Sequence, residues 1–345
     1  MRAGEELDAA KVDAWLKARV PGFTGAPEVT QYSGGASNWT YRLRYDSHDL
    51  VLRRPPEGTK AKSAHDMARE YRIQRALGPV FPFVPEMIAF CDDASVIGCE
   101  FYVMRRLDGL ILRRNPPPDL TLTPDQTRQL CLNVIDTLIA LHGVDIEAAG
   151  LASLGKGRGY ARRQIEGWSD RYRKARTWNA PRFEGVMSWL ADHTPEDMGA
   201  CVIHNDFRFD NVVLDPNDPT RIVGVLDWEM ATLGDPLMDL GNALAYWVQK
   251  DDDFLLRSLR KQPTHLPGML TRREVVEYYA KKTGRRADNW AFYEVYGLFR
   301  LAAIAQQIYY RYQQGQTRNP AFRNFWMFVT YLGWRCGRII RRSGT

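Results

Sequence analysis

Residues 201–228 read CVIHNDFRFDNVVLDPNDPTRIVGVLDW, and this stretch is more informative about the fold than any other part of the chain. Three apolar runs, at 202–203, 212–214 and 222–226, have the length and composition of short buried strands. The segment Pro-Asn-Asp-Pro at 216–219 favours a tight turn between the last two runs. The pattern predicts a β-hairpin whose strand ends hold polar side chains rigidly.

Three of these polar side chains have the chemistry that phosphoryl transfer requires. Asp206 is followed five positions later by Asn211, and Asp227 follows the last apolar run. Transfer to a hydroxyl needs a carboxylate to orient the acceptor, an amide oxygen for Mg²⁺, and a second carboxylate for metal and phosphates. We predict that Asp206 is catalytic and that Asn211 and Asp227 are metal ligands. Turn-capping roles are the alternative for Asp206 and Asn211.

The motif order resembles a known superfamily of kinases. The form H-N-D-x-x-x-D-N at 204–211, followed by L-D-W-E-x-A-x-x-G-D-P at 226–236, is similar to the aminoglycoside-phosphotransferase and choline-kinase-like proteins. It most resembles the branch that includes kinase domains fused to some acyl-CoA dehydrogenases. The resemblance extends over roughly residues 25–315, judged from the spread of the motifs. It implies an α+β, bilobal protein-kinase-like fold that uses ATP and Mg²⁺.

The resemblance and the pattern of elements predict two lobes. Strand-like stretches fill residues 28–54 and 101–107, with a helical stretch at 62–77, whereas the chain beyond the hairpin is mostly helical in pattern. We place the boundary near 107–109. Residues 1–107 are then a small nucleotide-binding lobe with a mixed sheet, and residues 108–345 a larger, mainly helical lobe for catalysis and acceptor binding.

Composition is that of a globular enzyme. The 345 residues are 45% hydrophobic and 26% charged, with a formal net charge of +6. No apolar run reaches the length of a membrane span, and the first twenty residues lack the apolar core of a signal peptide. The five cysteines have no metal-ligand spacing, which favours free thiols in a reducing cytoplasm. We expect a cytoplasmic protein without a nucleic-acid or membrane partner, and we leave its oligomeric state open.

The nucleotide phosphates are expected at a glycine-containing turn between two predicted strands. Residues 32–38 read YSGGASN, where glycines allow backbone amides to approach phosphates closely. A plain hairpin turn is the alternative, since the protein-kinase pattern G-x-G-x-x-G is absent. The resemblance implies that Ser37 and Asn38 are the side-chain donors.

An arginine occupies the strand position at which kinases normally carry a lysine. Alternation along the strand sends Arg53 and Arg54 to opposite faces, and we predict that Arg53 binds the phosphates. Its planar guanidinium suits bidentate phosphate contact. The resemblance implies that Glu70, on the helix that follows, aligns Arg53. A solvated Glu70 that pairs with its helix neighbours is the alternative.

Other roles rest on the resemblance alone. Residues 104–107 correspond to the hinge that binds adenine, with Arg105 and Leu107 as the contributing residues. His204 is implied to be structural, holding the catalytic loop from beneath. Asp239, on a helix that opens at 235–236, is implied to brace the same loop.

Charge in the segment before the motif bears on the acceptor. Residues 155–176 carry eight basic residues against Glu166 and Asp170. A cationic acceptor such as an aminoglycoside would favour acidic or aromatic surroundings, so this segment favours an anionic acceptor such as a hydroxy acid or a hydroxyacyl-CoA. A solvated helix face is the alternative. Further along, the candidate residues for the acceptor side are Arg300, Gln307, Tyr310 and Arg311, although positions in a helical core and at its rim account for most of them.

We therefore expect an ATP- and Mg²⁺-dependent kinase acting on a hydroxyl of a small, anionic molecule. Two other readings remain open. The arginine at position 53 also fits a nucleotide-binding pseudokinase that acts through partners, and the motif also occurs in antibiotic-modifying kinases. The second of these predicts an acidic acceptor site.

Overall fold

The computed structural model describes residues 5–32, 38–56, 66–196 and 199–344. The helices are α1 (Ala9–Lys17), α2 (Met67–Leu77), α3 (Ala94–Ile97), α4 (Pro124–His142), α5 (Tyr160–Ala175), α6 (Glu184–Asp192), α7 (Pro236–Ala245), α8 (Phe254–Leu259), α9 (Arg272–Thr283), α10 (Trp290–Gln313) and α11 (Phe325–Arg342). The strands are β1 (Glu28–Gln31), β2 (Trp39–Arg44), β3 (Asp49–Arg54), β4 (Met87–Cys91), β5 (Phe101–Arg105), β6 (Cys201–Ile203), β7 (Val212–Leu214), β8 (Ile222–Val225) and β9 (Thr232–Gly234).

The chain divides into two compact units. The first comprises residues 1–111, 146–151 and 211–231, and the second comprises residues 112–145, 152–210 and 232–345. The first unit therefore contains α1–α3, β1–β5 and the β7–β8 hairpin, and the second contains α4–α11 with the β6–β9 pair.

A five-stranded antiparallel sheet, in the order β1-β2-β3-β5-β4, organises the first unit. One face packs against α1, where a buried cluster includes Trp15, Leu50 and Leu52. The other face packs against α2 through a smaller cluster that includes Val51 and Met67. Because side chains alternate along a strand, the even positions of β3 face α1 and the odd positions face α2.

The same unit contains the predicted hairpin. Strands β7 and β8 pair antiparallel, as the apolar runs and the turn at 216–219 predict. The carbonyl of Phe83 accepts a hydrogen bond of 2.6 Å from the N–H of Val225. A Cβ on Gly224 would lie 2.1 Å from a methyl carbon of Leu107, so a residue without a side chain is required there. These contacts fix the hairpin within its unit.

Helix-start signals account for several elements of the second unit. Thr123 and Gln126 form a capping box at the start of α4. Asp235 caps α7 by accepting from two backbone N–H groups, and Pro236 occupies the first turn. This start places Asp239 one turn into the helix.

The structure also shows the state of the cysteines and the length and character of the helices. The five cysteines are free, four of them buried. Within the part of the chain that the structure describes, no helix has the length and apolar character needed to cross a membrane.

Candidate functional site

Arg53 and Glu70 form a buried ion pair in the first unit. Nη1 of Arg53 donates to Oε1 of Glu70 at 2.5 Å, and the two side chains are 11% and 2% exposed. The strand register sets Arg53 opposite Tyr102, whose hydroxyl donates to the same carboxylate oxygen at 2.8 Å. Glu70 lies in the first turn of α2, which Asp66 caps. Glu70 is therefore buried and paired with the strand, not solvated on its helix.

The guanidinium of Arg53 also reaches the hairpin. Its Nη2 donates to Oδ1 of Asp227 at 3.3 Å and lies 3.9 Å from Oε2 of Glu229. Two nitrogens of one planar group thus contact separate carboxylates, whereas a lysine would have to reach both with a single ammonium. Burial raises the pKa of Glu70, and the charge of Arg53 and the hydrogen bond from Tyr102 oppose that shift.

Arg54 has a structural role on the opposite face of β3. Its guanidinium lies 4.5 Å from the ring centroid of Trp39, and Nη2 donates to the carbonyl of Glu6 at 2.9 Å. Only 3% of the residue is exposed. The alternation of the strand therefore directs Arg53 toward α2 and Arg54 into packing around α1.

Asn211 and Asp227 lie at neighbouring ends of the hairpin strands. The N–H of Leu226 donates to the carbonyl of Asn211 at 2.8 Å, which aligns the two segments. Asp227 has a φ of 66°, a left-handed conformation that is uncommon for a residue other than glycine. Strain of this kind is concentrated at functional sites.

The donor set of Asn211 and Asp227 fits Mg²⁺. Magnesium commonly binds one or two protein oxygens and completes its octahedron with water and substrate phosphates. Among the described residues there is no cluster of three His, Cys, Asp or Glu side chains suited to a metal, and a site of this kind needs none. The Asp227 side chain is 36% exposed, so its carboxylate is accessible.

The predicted phosphate loop is only partly described. Ser37 lies outside the described residues. Asn38 is 2% exposed and its Nδ2 donates to Oε2 of Glu229 at 3.3 Å. Glu229 thus contacts both Asn38 and Arg53, a role for which sequence reasoning gave no signal beyond its place two residues after Asp227.

The two hinge residues differ in what their backbones are free to do. The N–H of Arg105 donates to the carbonyl of Glu86 at 2.8 Å, and that of Arg106 donates to Asp49 at 2.9 Å. Within the described chain, no hydrogen bond engages the main chain of Leu107. The side chain of Arg105 is exposed and pairs with Glu86. Of the two residues predicted for the hinge, Leu107 is therefore the one whose backbone groups are not already engaged.

In the second unit, Asp239 holds the loop that carries Asp206. Its carboxylate accepts from the backbone N–H of His204 at 2.8 Å and of Asn205 at 2.7 Å, and His142 Nε2 lies 3.1 Å away. Asp239 is fully buried. Burial opposes ionisation, but the hydrogen bond and charge of His142 and contacts with His204 outweigh it and lower the pKa of Asp239. Both roles implied by the resemblance agree with these contacts.

Asp206 has an arginine beside it that the sequence analysis missed. Nη2 of Arg208 lies 3.2 Å from Oδ2 of Asp206, and the guanidinium packs 4.7 Å from the ring centroid of Tyr246. The backbone N–H of Asp206 donates to Nδ1 of His204 at 3.3 Å. The carboxylate is 21% exposed, so it can contact a ligand. A D-x-R spacing is too common for Arg208 to have been singled out.

The basic residues of 155–176 are largely occupied by local contacts. They are Lys156, Arg158, Arg162, Arg163, Arg171, Arg173, Lys174 and Arg176. Arg173 pairs with Glu184, Lys174 pairs with Asp170, and Arg163 donates to backbone carbonyls. Most of this charge is therefore the solvated helix face that the sequence analysis kept as an alternative.

Comparison with known proteins agrees with this geometry. Residues 28–275 match the phosphotransferase enzyme family APH. The chain is 37% identical over 325 residues to acyl-CoA dehydrogenase family member 10 of Mus musculus and 35% identical over 320 residues to family member 11 of Rattus norvegicus. Each match covers 90% of this chain but only 30% and 40% of the respective relative, so the chain spans less than half of their length.

A solved structure is similar along the whole chain. A crystal structure from Ralstonia eutropha, assigned as an aminoglycoside phosphotransferase, is 30% identical to this chain, and the two superpose with a TM-score of 0.82. The match covers 96% of this chain and 99% of that one. The predicted kinase-like α+β fold is confirmed. The class of protein that the fold and the family match define is a phosphotransferase. The chain belongs to the APH phosphotransferase family.

Proposed function

We propose that this phosphotransferase moves the γ-phosphate of ATP to a hydroxyl of a small anionic molecule, such as a hydroxy acid or a hydroxyacyl-CoA. The observation that carries the proposal is the buried Arg53, whose two terminal nitrogens contact Glu70 and Asp227. A cation positioned in this way, beside a carboxylate that can bind metal, suits the phosphates of a nucleotide.

Each residue then has a defined task. Arg53 binds the α- and β-phosphates, and Glu70 with Tyr102 fixes its orientation. Asn211 and Asp227 would hold Mg²⁺, which supplies charge neutralisation at the phosphates when bound. Positioning and electrostatics of this kind provide most of the rate acceleration in phosphoryl transfer.

The remaining residues contact the base, the phosphates and the acceptor hydroxyl, or support those that do. The backbone of Leu107 contacts the adenine, and Ser37 and Asn38 contribute donors to the phosphates. Asp206 accepts a hydrogen bond from the acceptor hydroxyl and takes its proton as the phosphoryl group is transferred. Asp239 keeps Asp206 in place through the backbone of His204 and Asn205.

An anionic acceptor is supported by charge and by the relatives. The chain carries a net +6, and Arg208 lies beside Asp206 on the same loop, 3.2 Å from its carboxylate. The relatives are named acyl-CoA dehydrogenase family members, and acyl-CoA thioesters are anionic. A cationic aminoglycoside would be repelled by such surroundings.

The test is release of ADP from Mg-ATP in the presence of hydroxy acids, hydroxyacyl-CoAs, choline, sugars or aminoglycosides. Asp206→Asn should lower kcat by roughly 10²- to 10⁴-fold for the true acceptor, the usual contribution of a general base. Asp218→Asn, in the exposed turn at 216–219, is the matched control and should retain activity. Turnover with aminoglycosides alone would contradict the anionic acceptor, and nucleotide binding without turnover would favour a pseudokinase.

A further inference from the structure

Arg300 is a buried cation without a counterion. It lies in α10 of the second unit, and only 4% of the residue is exposed. Within the described residues, no carboxylate lies within 4.0 Å of its guanidinium and no hydrogen bond engages its side chain. Burying an unpaired charge is costly, because the desolvation of the ion is not repaid. A buried arginine in this state is suited to binding an anion.

Hydrogen-bond donors and aromatic rings lie around Arg300, and the buried carboxylate of Asp239 acts on two of the same tyrosines, Tyr160 and Tyr296. Its guanidinium lies 5.2 Å from the ring centroid of Trp168, and that of Arg171 lies 4.4 Å from the same ring. The indole nitrogen of Trp168 and the hydroxyl of Tyr296 are buried and lie close to each other, and neither has a partner of good hydrogen-bond geometry. Indole N–H and guanidinium groups donate only, and a tyrosine hydroxyl can donate, so the unsatisfied groups call for an acceptor-rich ligand.

This cluster lies near the loop that carries Asp206. The hydroxyl of Tyr160 donates to Oδ1 of Asn205, the neighbour of Asp206, at 3.4 Å. Burial raises the pKa of Tyr160, and the charge of Arg300 opposes the shift. Burial also raises the pKa of Tyr246, where Asp206 adds to the shift and Arg300 opposes it. Tyr160 thus contacts the loop and interacts with the charge of Arg300, and Tyr246 interacts with the charges of both Asp206 and Arg300.

We propose that Arg300, Tyr296 and Trp168 form the subsite that binds the anionic group of the acceptor, a carboxylate or a phosphate. Charge-assisted hydrogen bonds from the guanidinium would supply the affinity, and the two buried donors would add direction. Arg171, whose guanidinium lies 4.4 Å from the centroid of the Trp168 ring, adds positive charge to the subsite. The identity of the bound molecule as acceptor rests on the proposed kinase function, whereas anion binding by the cluster does not.

The experiment measures binding and turnover separately. Isothermal titration calorimetry with β-hydroxybutyrate, the matching uncharged butanediol, β-hydroxybutyryl-CoA and coenzyme A distinguishes a carboxylate from the phosphates of coenzyme A as the anion. Arg300→Gln should weaken binding of the preferred anion by roughly 10- to 100-fold, the usual worth of a hydrogen bond to a charged group. Arg300→Lys should recover part of that loss because it retains the charge.

The control is Arg273→Gln. Arg273 lies in the same unit as Arg300, and its side chain is 84% exposed. It should bind each probe as the unaltered protein does. Far-ultraviolet circular dichroism and Mg-ATP binding establish that Arg300→Gln is folded. If that variant fails to fold, the ratio of anion to butanediol affinity in Arg300→Lys provides the test.

Three outcomes decide between the proposals. Anion binding lost in Arg300→Gln and retained in Arg273→Gln supports the subsite, even if no acceptor is phosphorylated and the kinase proposal fails. Turnover of an anionic acceptor with an unchanged KM in Arg300→Gln overturns the subsite and leaves the kinase proposal intact. The subsite is also overturned if the unaltered protein binds β-hydroxybutyrate and the butanediol with equal affinity and binds neither coenzyme A nor its thioester.

Discussion

Replacing Arg53 by methionine tests how the first unit is held together. The substitution removes the guanidinium that contacts Glu70 at 2.5 Å and leaves a carboxylate that is 2% exposed without its cation. Removing one partner of a buried ion pair costs about 3–5 kcal/mol, because the remaining charge is uncompensated. Asp227 and Glu229 also lose a contact, but they are more exposed and add little. We expect Arg53→Met to lower the free energy of unfolding of its unit by about 3–5 kcal/mol near neutral pH.

The loss should depend on pH in one direction. The pKa of Glu70 is raised above its ordinary value of 4.5, by burial first, with Arg53 opposing. A carboxyl group whose pKa rises on folding stabilises the folded state below its unfolded pKa, and this contribution disappears as pH rises through the folded pKa. Without Arg53 the pKa of Glu70 rises further. The destabilisation by Arg53→Met should therefore be smallest near pH 4.5 and increase toward neutral pH.

Urea denaturation of the two proteins at acid and neutral pH measures this effect. Arg105→Met is the matched control, because Arg105 pairs with Glu86 on the surface of the same sheet, with side chains 49% and 59% exposed. Such a pair contributes at most about 1 kcal/mol. Equal losses in the two variants, or a loss for Arg53→Met that is larger at acid pH, would refute the reasoning.

Three further predictions follow from contacts in the two units. Asp227→Asn should weaken Mg²⁺-dependent ATP binding by roughly 10-fold or more, since a charge-assisted metal ligand becomes neutral; titration calorimetry with and without Mg²⁺ checks this, and unchanged Mg²⁺ dependence would contradict it. Asp239→Asn should lower the free energy of unfolding by about 1–3 kcal/mol, because buried backbone donors lose a charged acceptor, and it should also lower kcat because the loop that carries Asp206 is held less firmly. A variant with full activity would remove the bracing role. Gly297→Ala should destabilise the α7–α10 packing by about 1–3 kcal/mol, since the added Cβ would lie 2.2 Å from the carbonyl oxygen of Gly241; Gly185→Ala, where nothing lies within 4 Å, is the control and should change the urea midpoint little.

Local patterns predicted the elements that position the proposed site. Period-two alternation assigned Arg53 and Arg54 to opposite faces of β3, and both side chains follow it. The apolar runs and the turn at 216–219 predicted the hairpin that carries Asn211 and Asp227. In these cases the physical cause lies within a few residues, which is the range that sequence patterns report.

Long-range contacts were beyond the same reasoning. Glu229 lies next to Asn38, 191 positions away along the chain, and nothing local marks that meeting. Strand β9 has only three residues and forms by pairing with β6. Charge counting was the weakest guide: the basic run at 155–176 is mostly paired or solvated, whereas the buried Arg300 lies among apolar residues in the middle of α10.

The central claim is phosphoryl transfer from Mg-ATP to a hydroxyl through Asp206. Mass spectrometry and phosphorus NMR of a hydroxyacyl-CoA, incubated with Mg-ATP and either the unaltered protein or Asp206→Asn, test it most directly. We predict a phosphate ester on the acceptor hydroxyl with the unaltered protein and roughly 10²- to 10⁴-fold slower formation with the variant. An ester formed equally fast by both proteins, or ATP bound with no phosphate transferred to any hydroxyl acceptor, would contradict the account.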